Sequence, residues 1–254
     1  MELPRNRFKA RLRAGEVQYG LWLTIPDPTL VEAMAAAGFD WITLDTEHAP
    51  VEVSRVLPLL QAAAPWPASC LVRPSVLDTA LIKRHLDQGA QTLILPYVQT
   101  AAEAAAAVAA VRYPPRGVRG VAGAMRAAGY GRMRDYTRQA EQEICLVLQV
   151  ETAAALDNLD PIAATEGVDA LFIGPADLAA SLGHPGQPAH PQVRRVILDT
   201  IGRLQAARMP VGILSTDPGF TRDCVAAGAR FVAVGIDMAL AVEAADALAA
   251  RYCR

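Results

Sequence analysis

The 254-residue sequence predicts a single-domain α/β protein, a (β/α)8 (TIM) barrel over residues 1–254, and three observations point there. One unit recurs: an alanine-rich helical stretch ends at a glycine and a short apolar strand follows, as in "LVEAMAAAGFDWITLD", "LIKRHLDQGAQTLILP", "IAATEGVDALFIGP" and "CVAAGARFVAVGID". The strands are continuously apolar rather than alternating, the pattern of parallel strands covered by helices. Eight strand–helix units fit into the chain, the number that closes a barrel. An open doubly wound sheet is the rival, but it would want a glycine-rich GxGxxG turn after an early strand, and none is present.

The expected strands are "VQYGLWLTI" (17–25), "WITLD" (41–45), "ASCLVRP" (68–74), "TLILPYV" (92–98), "CLVLQVE" (145–151), "ALFIGP" (170–175), "PVGILS" (210–215) and "RFVAVGID" (230–237). Helical patterns fill 28–37, 51–63, 77–87, 100–112, 152–164, 191–207 and 217–228, and a last one, 238–253, closes the chain. Gly38, Gly89, Gly167 and Gly228 stand just past helices, where a left-handed residue is needed and glycine carries no steric penalty. No stretch reads as a linker between domains. Two segments break the rhythm: the Gly- and Arg-rich 113–139 between strands four and five, and 178–190 after strand six. Both are expected over the C-terminal mouth, where long loops carry function. The arginines of the first (Arg116, Arg119, Arg126, Arg132, Arg134 and Arg138) suit either a solvated surface or a lid over a substrate carboxylate.

Composition narrows the function. The chain is 52% hydrophobic and 20% charged with a formal net charge of −2, so it has material for a large core and no basic field for nucleic acid. No apolar run approaches the ~20 residues of a membrane span. The charged opening "MELPRNRFKARLRAG" lacks a signal-peptide core, which favours the cytoplasm. Cys70, Cys145, Cys224 and Cys253 are isolated, with no CxxC pair; they read as small buried hydrophobes rather than a disulfide or zinc framework.

Active sites of such barrels stand at the C-terminal ends of the strands. There strand two delivers Asp45, Glu47 and His48, strand three Arg73, strand five Gln149 and Glu151, and Asp177 follows strand six. One carboxylate alone is more often a helix N-cap, and Glu151 or Asp177 could each be one; the convergence of the set favours chemistry. Two carboxylates from neighbouring strands suit a hard divalent ion, Mg2+ or Mn2+, which could chelate a 2-oxo acid and stabilise its enolate. Arg73 would add a second positive charge at the same oxygen, and His48 would move the proton. The chain has two lysines, Lys9 and Lys83, neither on a strand, so Schiff-base chemistry is excluded. His85, mid-helix beside Arg84, reads as a surface or interface residue; His184 and His190 sit in the Pro/Gly loop.

"LDTEHAP", "VRP", "LDQGAQTLILPYVQT", "RGVRG", "QVET" and "FIGPADLAASLG" resemble, in order and over nearly the whole chain, the metal-dependent pyruvate aldolases typified by 4-hydroxy-2-oxoheptanedioate aldolase and 2-dehydro-3-deoxyglucarate aldolase. The wider superfamily, of phosphoenolpyruvate/pyruvate-type barrels, includes the citrate lyase beta subunit. The resemblance implies that Glu151 and Asp177 are the metal ligands, for Mg2+ or Mn2+ with Co2+ as a further candidate, and that no nucleotide cofactor is used. It implies that Arg73 contacts the keto oxygen of pyruvate, that His48 is the acid/base group acting through water, and that Asp45 orders metal-bound waters. Gln149 would bind substrate or its waters, and backbone groups of Gly174 and Ala176 would hold the pyruvate carboxylate. Asp87, in "LDQGA", matches a position that reaches the histidine of a neighbouring subunit. Hexamers are implied too, with the last helix, 238–253, packed on a neighbour.

The expected activity is reversible cleavage of a 4-hydroxy-2-oxo acid to pyruvate and an aldehyde, a carbon–carbon lyase acting on small molecules. The rivals are an oxaloacetate decarboxylase or thioester-cleaving lyase using the same enolate chemistry, and a non-catalytic oxo-acid-binding module. Glu47 reads as loop support.

Overall fold

The computed structural model describes residues 1–253 and is a closed barrel of eight parallel strands in sequence order. The strands are β1 (Gln18–Leu23), β2 (Trp41–Asp45), β3 (Ser69–Arg73), β4 (Thr92–Leu95), β5 (Cys145–Val150), β6 (Ala170–Ile173), β7 (Val211–Leu214) and β8 (Phe231–Ile236). All eight lie within the expected segments, and β1 pairs with β8 to close the ring. The helices are α1 (Arg7–Arg13), α2 (Pro28–Ala35), α3 (Val53–Ala63), α4 (Thr79–Asp87), α5 (Ala101–Val111) and α6 (Tyr136–Glu143). Then come α7 (Ala153–Asp157), α8 (Leu159–Ala163), α9 (Pro175–Ser181), α10 (Pro191–Ala206), α11 (Pro218–Ala227) and α12 (Asp237–Tyr252). The four glycines of the recurring unit all have positive φ, Gly89 for example at 101° just past the C-cap Gln88 of α4.

Continuous apolar strands bury both faces, and the result is two cores. Outward residues such as Leu21, Ile42, Val72 and Leu148 pack under the helices. Inward residues, among them Trp22, Trp41, Leu71, Ile94, Phe172 and Phe231, fill the barrel. The large rings fit because their neighbours have no side chain: a Cβ on Gly20 would lie 2.1 Å from the Trp41 ring.

Sequence reading missed α1, whose basic residues flank two apolar ones. Phe8 and Leu12 turn inward and plug the N-terminal end of the barrel, Phe8 making edge contacts with Trp41 and Phe231 at centroid distances of 6.1 and 5.3 Å. Lys9 donates to the Ile144 carbonyl and lies 3.1 Å from Asp169, so it is held at this end, far from any mouth chemistry. Phe8→Ala is expected to cost about 3–5 kcal/mol in urea denaturation; a loss below ~1 kcal/mol would show that α1 is not part of the core.

The long connection 113–139 lies at the opposite end from the one expected. It leaves α5 and enters β5, and a segment that joins a helix to the next strand returns to the N-terminal face. Arg126 donates to the Gln88 carbonyl at 2.8 Å, and Met1 with Gly129, Tyr130 and the first residues of β3 and β4 lines a cavity of about 550 Å3 there. A lid over the mouth is therefore ruled out for these arginines, and Arg119 is fully buried rather than solvated. The second long segment, which begins with the end of α9, does rise over the mouth, where Pro188 and Ala189 line its cavity.

The helix expected at 152–164 is two, α7 and α8, broken at Asn158. Pro161 has no N–H to continue the α7 ladder, so it sits in the first turn of a new helix instead. His85 is buried, not at the surface, and burial beside Arg84 lowers its imidazole to about 4. Cys145 and Cys224 are buried and Cys70 partly so, but Cys253 is exposed. Of α12 only Asp237 is buried; Met238, Leu240, Val242 and Leu248 all face outward.

Candidate active site

At the C-terminal mouth a cavity of about 410 Å3 is lined by Trp22, Thr24, Asp45, His48, Arg73, Gln149, Gly174, Pro175, Ala176, Asp177 and a wall from β7, β8 and α11. Seven of the sequence-derived residues, Asp45, His48, Arg73, Gln149, Gly174, Ala176 and Asp177, thus meet in one place; Glu151 lies buried behind Gln149 and Gly174. Asp87 does not join them. It ends α4 and accepts a hydrogen bond from Arg119 Nη2 at 2.8 Å, lining no part of this cavity within one chain.

Asp45 and Arg73 end adjacent strands and are register partners, which sets their side chains facing each other. The guanidinium binds the carboxylate in a fork, Nε to Oδ1 at 2.9 Å and Nη2 to Oδ2 at 2.6 Å. Trp22 Nε1 donates to Oδ2 at 3.2 Å and the Glu47 amide to Oδ1 at 2.9 Å, so both Asp45 oxygens are filled. Within this chain Asp45 thus anchors Arg73. Burial works to raise its carboxyl, but the bonds and charge of Arg73 outweigh that and hold it below the ordinary value. Arg73 also lies 4.8 Å over the Trp22 ring, and its Nη1 is 2.8 Å from Glu47 Oε2.

That second contact lacks hydrogen-bond alignment, leaving Glu47 Oε2 buried without a hydrogen-bond partner. Glu47 thus sets a buried carboxylate oxygen against Arg73 as well as standing in the loop. Burial raises its carboxyl despite Arg73, and Asp45 and Asp177 push the same way. His48, on the same turn, is exposed at the rim with its amide aimed at Asp45 Oδ1 (3.4 Å) and its Nε2 3.9 Å from Glu47.

Neither metal-ligand candidate is spent on capping. Thr152, not Glu151, caps α7, and Gly174 precedes α9 with Asp177 inside its first turn. Glu151 Oε1 accepts from the Tyr97 amide at 2.9 Å, and Oε2 from Gln149 Nε2. The space for Glu151 exists because residue 174 is glycine: a Cβ there would lie 2.2 Å from Glu151 Oε2 and 2.8 Å from Gln149 Nε2. Gln149 Oε1 has no partner.

Burial raises the Glu151 carboxyl; the Gln149 and Tyr97 hydrogen bonds oppose this, Asp177 and Glu47 add to it, and the result is about 7. The folded protein then keeps a proton that the unfolded chain releases near 4.5, so this carboxyl's contribution to metal-free stability falls as pH rises from about 4.5 to about 7 and levels off above. Buried His85 works the other way, its contribution rising between about 4 and about 6.5. The change in melting temperature from pH 5 to pH 7.5 is therefore expected to be more positive in metal-stripped Glu151→Gln than in metal-stripped wild type, and the same change in both would contradict the assignment.

The charge of Asp177 adds to the cost of ionising Glu47 and Glu151, and the Gln149 amide oxygen beside them is unpartnered, a chemistry that a hard divalent cation would relieve. Among the described residues no cluster of three or more His, Cys, Asp or Glu side chains is placed to enclose a metal; two protein carboxylates leave positions open for substrate and water. Sequence reasoning missed Trp22, which orders Asp45 and Arg73 from β1, and the Arg194–Asp217 pair of the far wall. Trp22 gave no signal because an inward aromatic on a strand reads as core.

Residues 18–244 match the HpcH/HpaI aldolase/citrate lyase family. The chain is 57% identical over 252 residues to a pyruvate aldolase of Rhizobium etli, covering 99% of both chains. To a hydroxypyruvate/pyruvate aldolase of Sagittula stellata it is 53% identical, covering 99% of this chain and 100% of that one. A crystal structure of a family protein from Burkholderia cenocepacia superposes with a TM-score of 0.93 at 41% identity, covering 97% of this chain and 98% of that one. A closed parallel barrel with its acidic mouth, matched over nearly its full length in sequence and in structure, makes this chain a member of the HpcH/HpaI aldolase/citrate lyase family.

Proposed function

We propose that the protein is a divalent-metal-dependent aldolase that reversibly cleaves a 4-hydroxy-2-oxo acid into pyruvate and an aldehyde. The observation that carries this reading is the buried Glu151 carboxyl, given room by Gly174 at the edge of the mouth and close enough to Asp177 to feel its charge. Curated relatives at 57% and 53% identity that are named pyruvate aldolases support it.

Glu151 and Asp177 would hold the ion, Mg2+, Mn2+ or Co2+, which when bound supplies Lewis-acid stabilisation to the oxo acid. Arg73, fixed by Asp45 and Trp22, presents charge to the keto oxygen as the enolate forms. The first-turn amides of α9 have no side-chain cap, and those at the Gly174–Ala176 turn are where a carboxylate would be received. Gln149 Oε1 accepts from substrate or its water. His48 takes the 4-hydroxyl proton through water; the C3–C4 bond breaks, its electrons pass to the enolate, and protonation at C3 gives pyruvate.

The test is cleavage of 4-hydroxy-2-oxovalerate by metal-stripped protein with and without Mg2+ or Mn2+, reading pyruvate with lactate dehydrogenase. Metal-dependent pyruvate release is expected. Release from oxaloacetate alone, or only from a coenzyme A thioester, would move the assignment to one of the other lyases, and binding without turnover would make the protein an oxo-acid-binding module.

The working assembly is inferred to be a homo-oligomer, a hexamer, in which the exposed apolar side chains of α12 pack on a neighbour and Asp87 acts across a subunit boundary. Among the described residues no helix is long and apolar enough to cross a membrane, and the cytoplasm is the assigned compartment. The expected partners are small molecules, with no role for nucleic acid or a bilayer.

A further inference from the structure

The mouth has two arcs. Strands β2, β3, β5 and β6 bring the residues assigned to pyruvate and metal; β7, β8 and β1 form the other arc, with Thr24, Leu214, Ser215, Thr216, Asp217 and Phe220 along it and Arg194 reaching in from α10. An aldehyde that meets the pyruvate carbon must extend along this second arc. Arg194 is its cation, and it is already spent. Its Nη2 lies 2.5 Å from Asp217 Oδ2, and its guanidinium stacks 4.6 Å over the Phe220 ring. Arg73, the other arginine of the cavity, is bound to Asp45. Asp217 is itself fixed, because its Oδ1 caps α11 by accepting from the Gly219 and Phe220 amides at 2.8 and 3.2 Å.

We propose that the Arg194–Asp217 pair selects the aldehyde: it admits uncharged hydroxyaldehydes and disfavours aldehydes that carry a carboxylate. This rests on the aldolase reading and adds its acceptor class. A hydroxyl group can donate to Asp217 and accept from the Arg194 guanidinium, or meet the hydroxyls of Thr24 and Thr216. A carboxylate can only accept, and it would have to sit beside Asp217 or displace it, a like-charge contact in either case. Leu214, Phe220 and Ile236 give the carbon chain of the aldehyde an apolar wall.

The experiment compares kcat/KM for glyceraldehyde and for succinic semialdehyde, each condensed with pyruvate in the presence of Mg2+. Wild-type protein is expected to favour glyceraldehyde. Asp217→Asn keeps the oxygen that caps α11 but removes the charge, so the succinic-to-glyceraldehyde ratio should rise about tenfold. Adding Arg194→Gln to that variant should cancel the rise, because the freed guanidinium is its cause. A wild-type preference for succinic semialdehyde, or a ratio in Asp217→Asn within about twofold of wild type, overturns the proposal. If Asp217→Asn does not fold, Arg194→Gln alone carries the test: leaving the Asp217 charge unbalanced should lower the ratio, and an unchanged ratio overturns the proposal. Failure of the wild-type protein to condense pyruvate with either aldehyde, and to exchange pyruvate methyl protons, would instead remove the aldolase reading.

Discussion

Arg73→Ala is expected to lower turnover by about 10^3-fold, the scale of losing one preorganised donor at a developing oxyanion. From sequence alone this substitution looks harmless to the fold. The structure says otherwise, because Arg73 neutralises a carboxylate that is 1% exposed. Removing one partner of such a buried pair costs about 3–5 kcal/mol. The two effects separate in a double variant: Arg73→Ala with Asp45→Asn should recover much of the lost melting temperature and none of the turnover. Recovery of turnover in the double variant, or near-normal turnover in the single one, would show that Arg73 is structural only.

Gly174→Ala should cripple the site through one methyl group. The backbone at 174 (φ −90°, ψ 98°) is open to alanine, so the effect is steric rather than conformational. The new Cβ would stand 2.2 Å from Glu151 Oε2 and 3.0 Å from Glu151 Cβ, and the carboxylate must move. Displacing a group that orients a metal ligand, or the ligand itself, typically costs 10–100-fold in affinity, so the Mg2+ concentration for half-maximal activity is expected to rise by about that factor. A variant with the wild-type metal requirement would mean that Glu151 does not bind the ion.

The barrel was legible because its signal is repeated: apolar runs such as "WITLD" match β2 end to end, and β2, β4, β6 and β8 are each preceded by a helix and a glycine. What the pattern hides is local or directional. α1 is invisible to a periodicity search because Phe8 and Leu12 are its only buried apolar residues, and they plug a hole that exists only once the barrel has closed. The 113–139 segment was placed at the wrong end by its composition, although its place after a helix sends it to the N-terminal face. The convergence of Asp45, His48, Arg73, Gln149, Gly174, Ala176 and Asp177 follows from strand ends sharing one rim, so topology alone delivers it. Pairwise roles do not follow from topology. That Asp45 is saturated by Arg73, Trp22 and the Glu47 amide, and that Glu47 faces the cluster, depends on side-chain directions that spacing does not encode. Asp87 marks the limit: within one chain it is held by Arg119 and lines no part of the mouth, so the role proposed for it across a subunit boundary has nothing in this chain to read it from.

Proton NMR of pyruvate in D2O most directly tests whether this mouth makes an enolate, because it needs no knowledge of the aldehyde. Protein stripped of metal is incubated with pyruvate, then with added Mg2+ or Mn2+, and the Mn2+ samples are quenched with chelator before reading. Expected is metal-dependent loss of the methyl signal, abolished in Arg73→Ala. Folded protein that leaves the methyl signal intact with every divalent ion tried would contradict the assignment of Glu151, Asp177 and Arg73 to pyruvate enolisation.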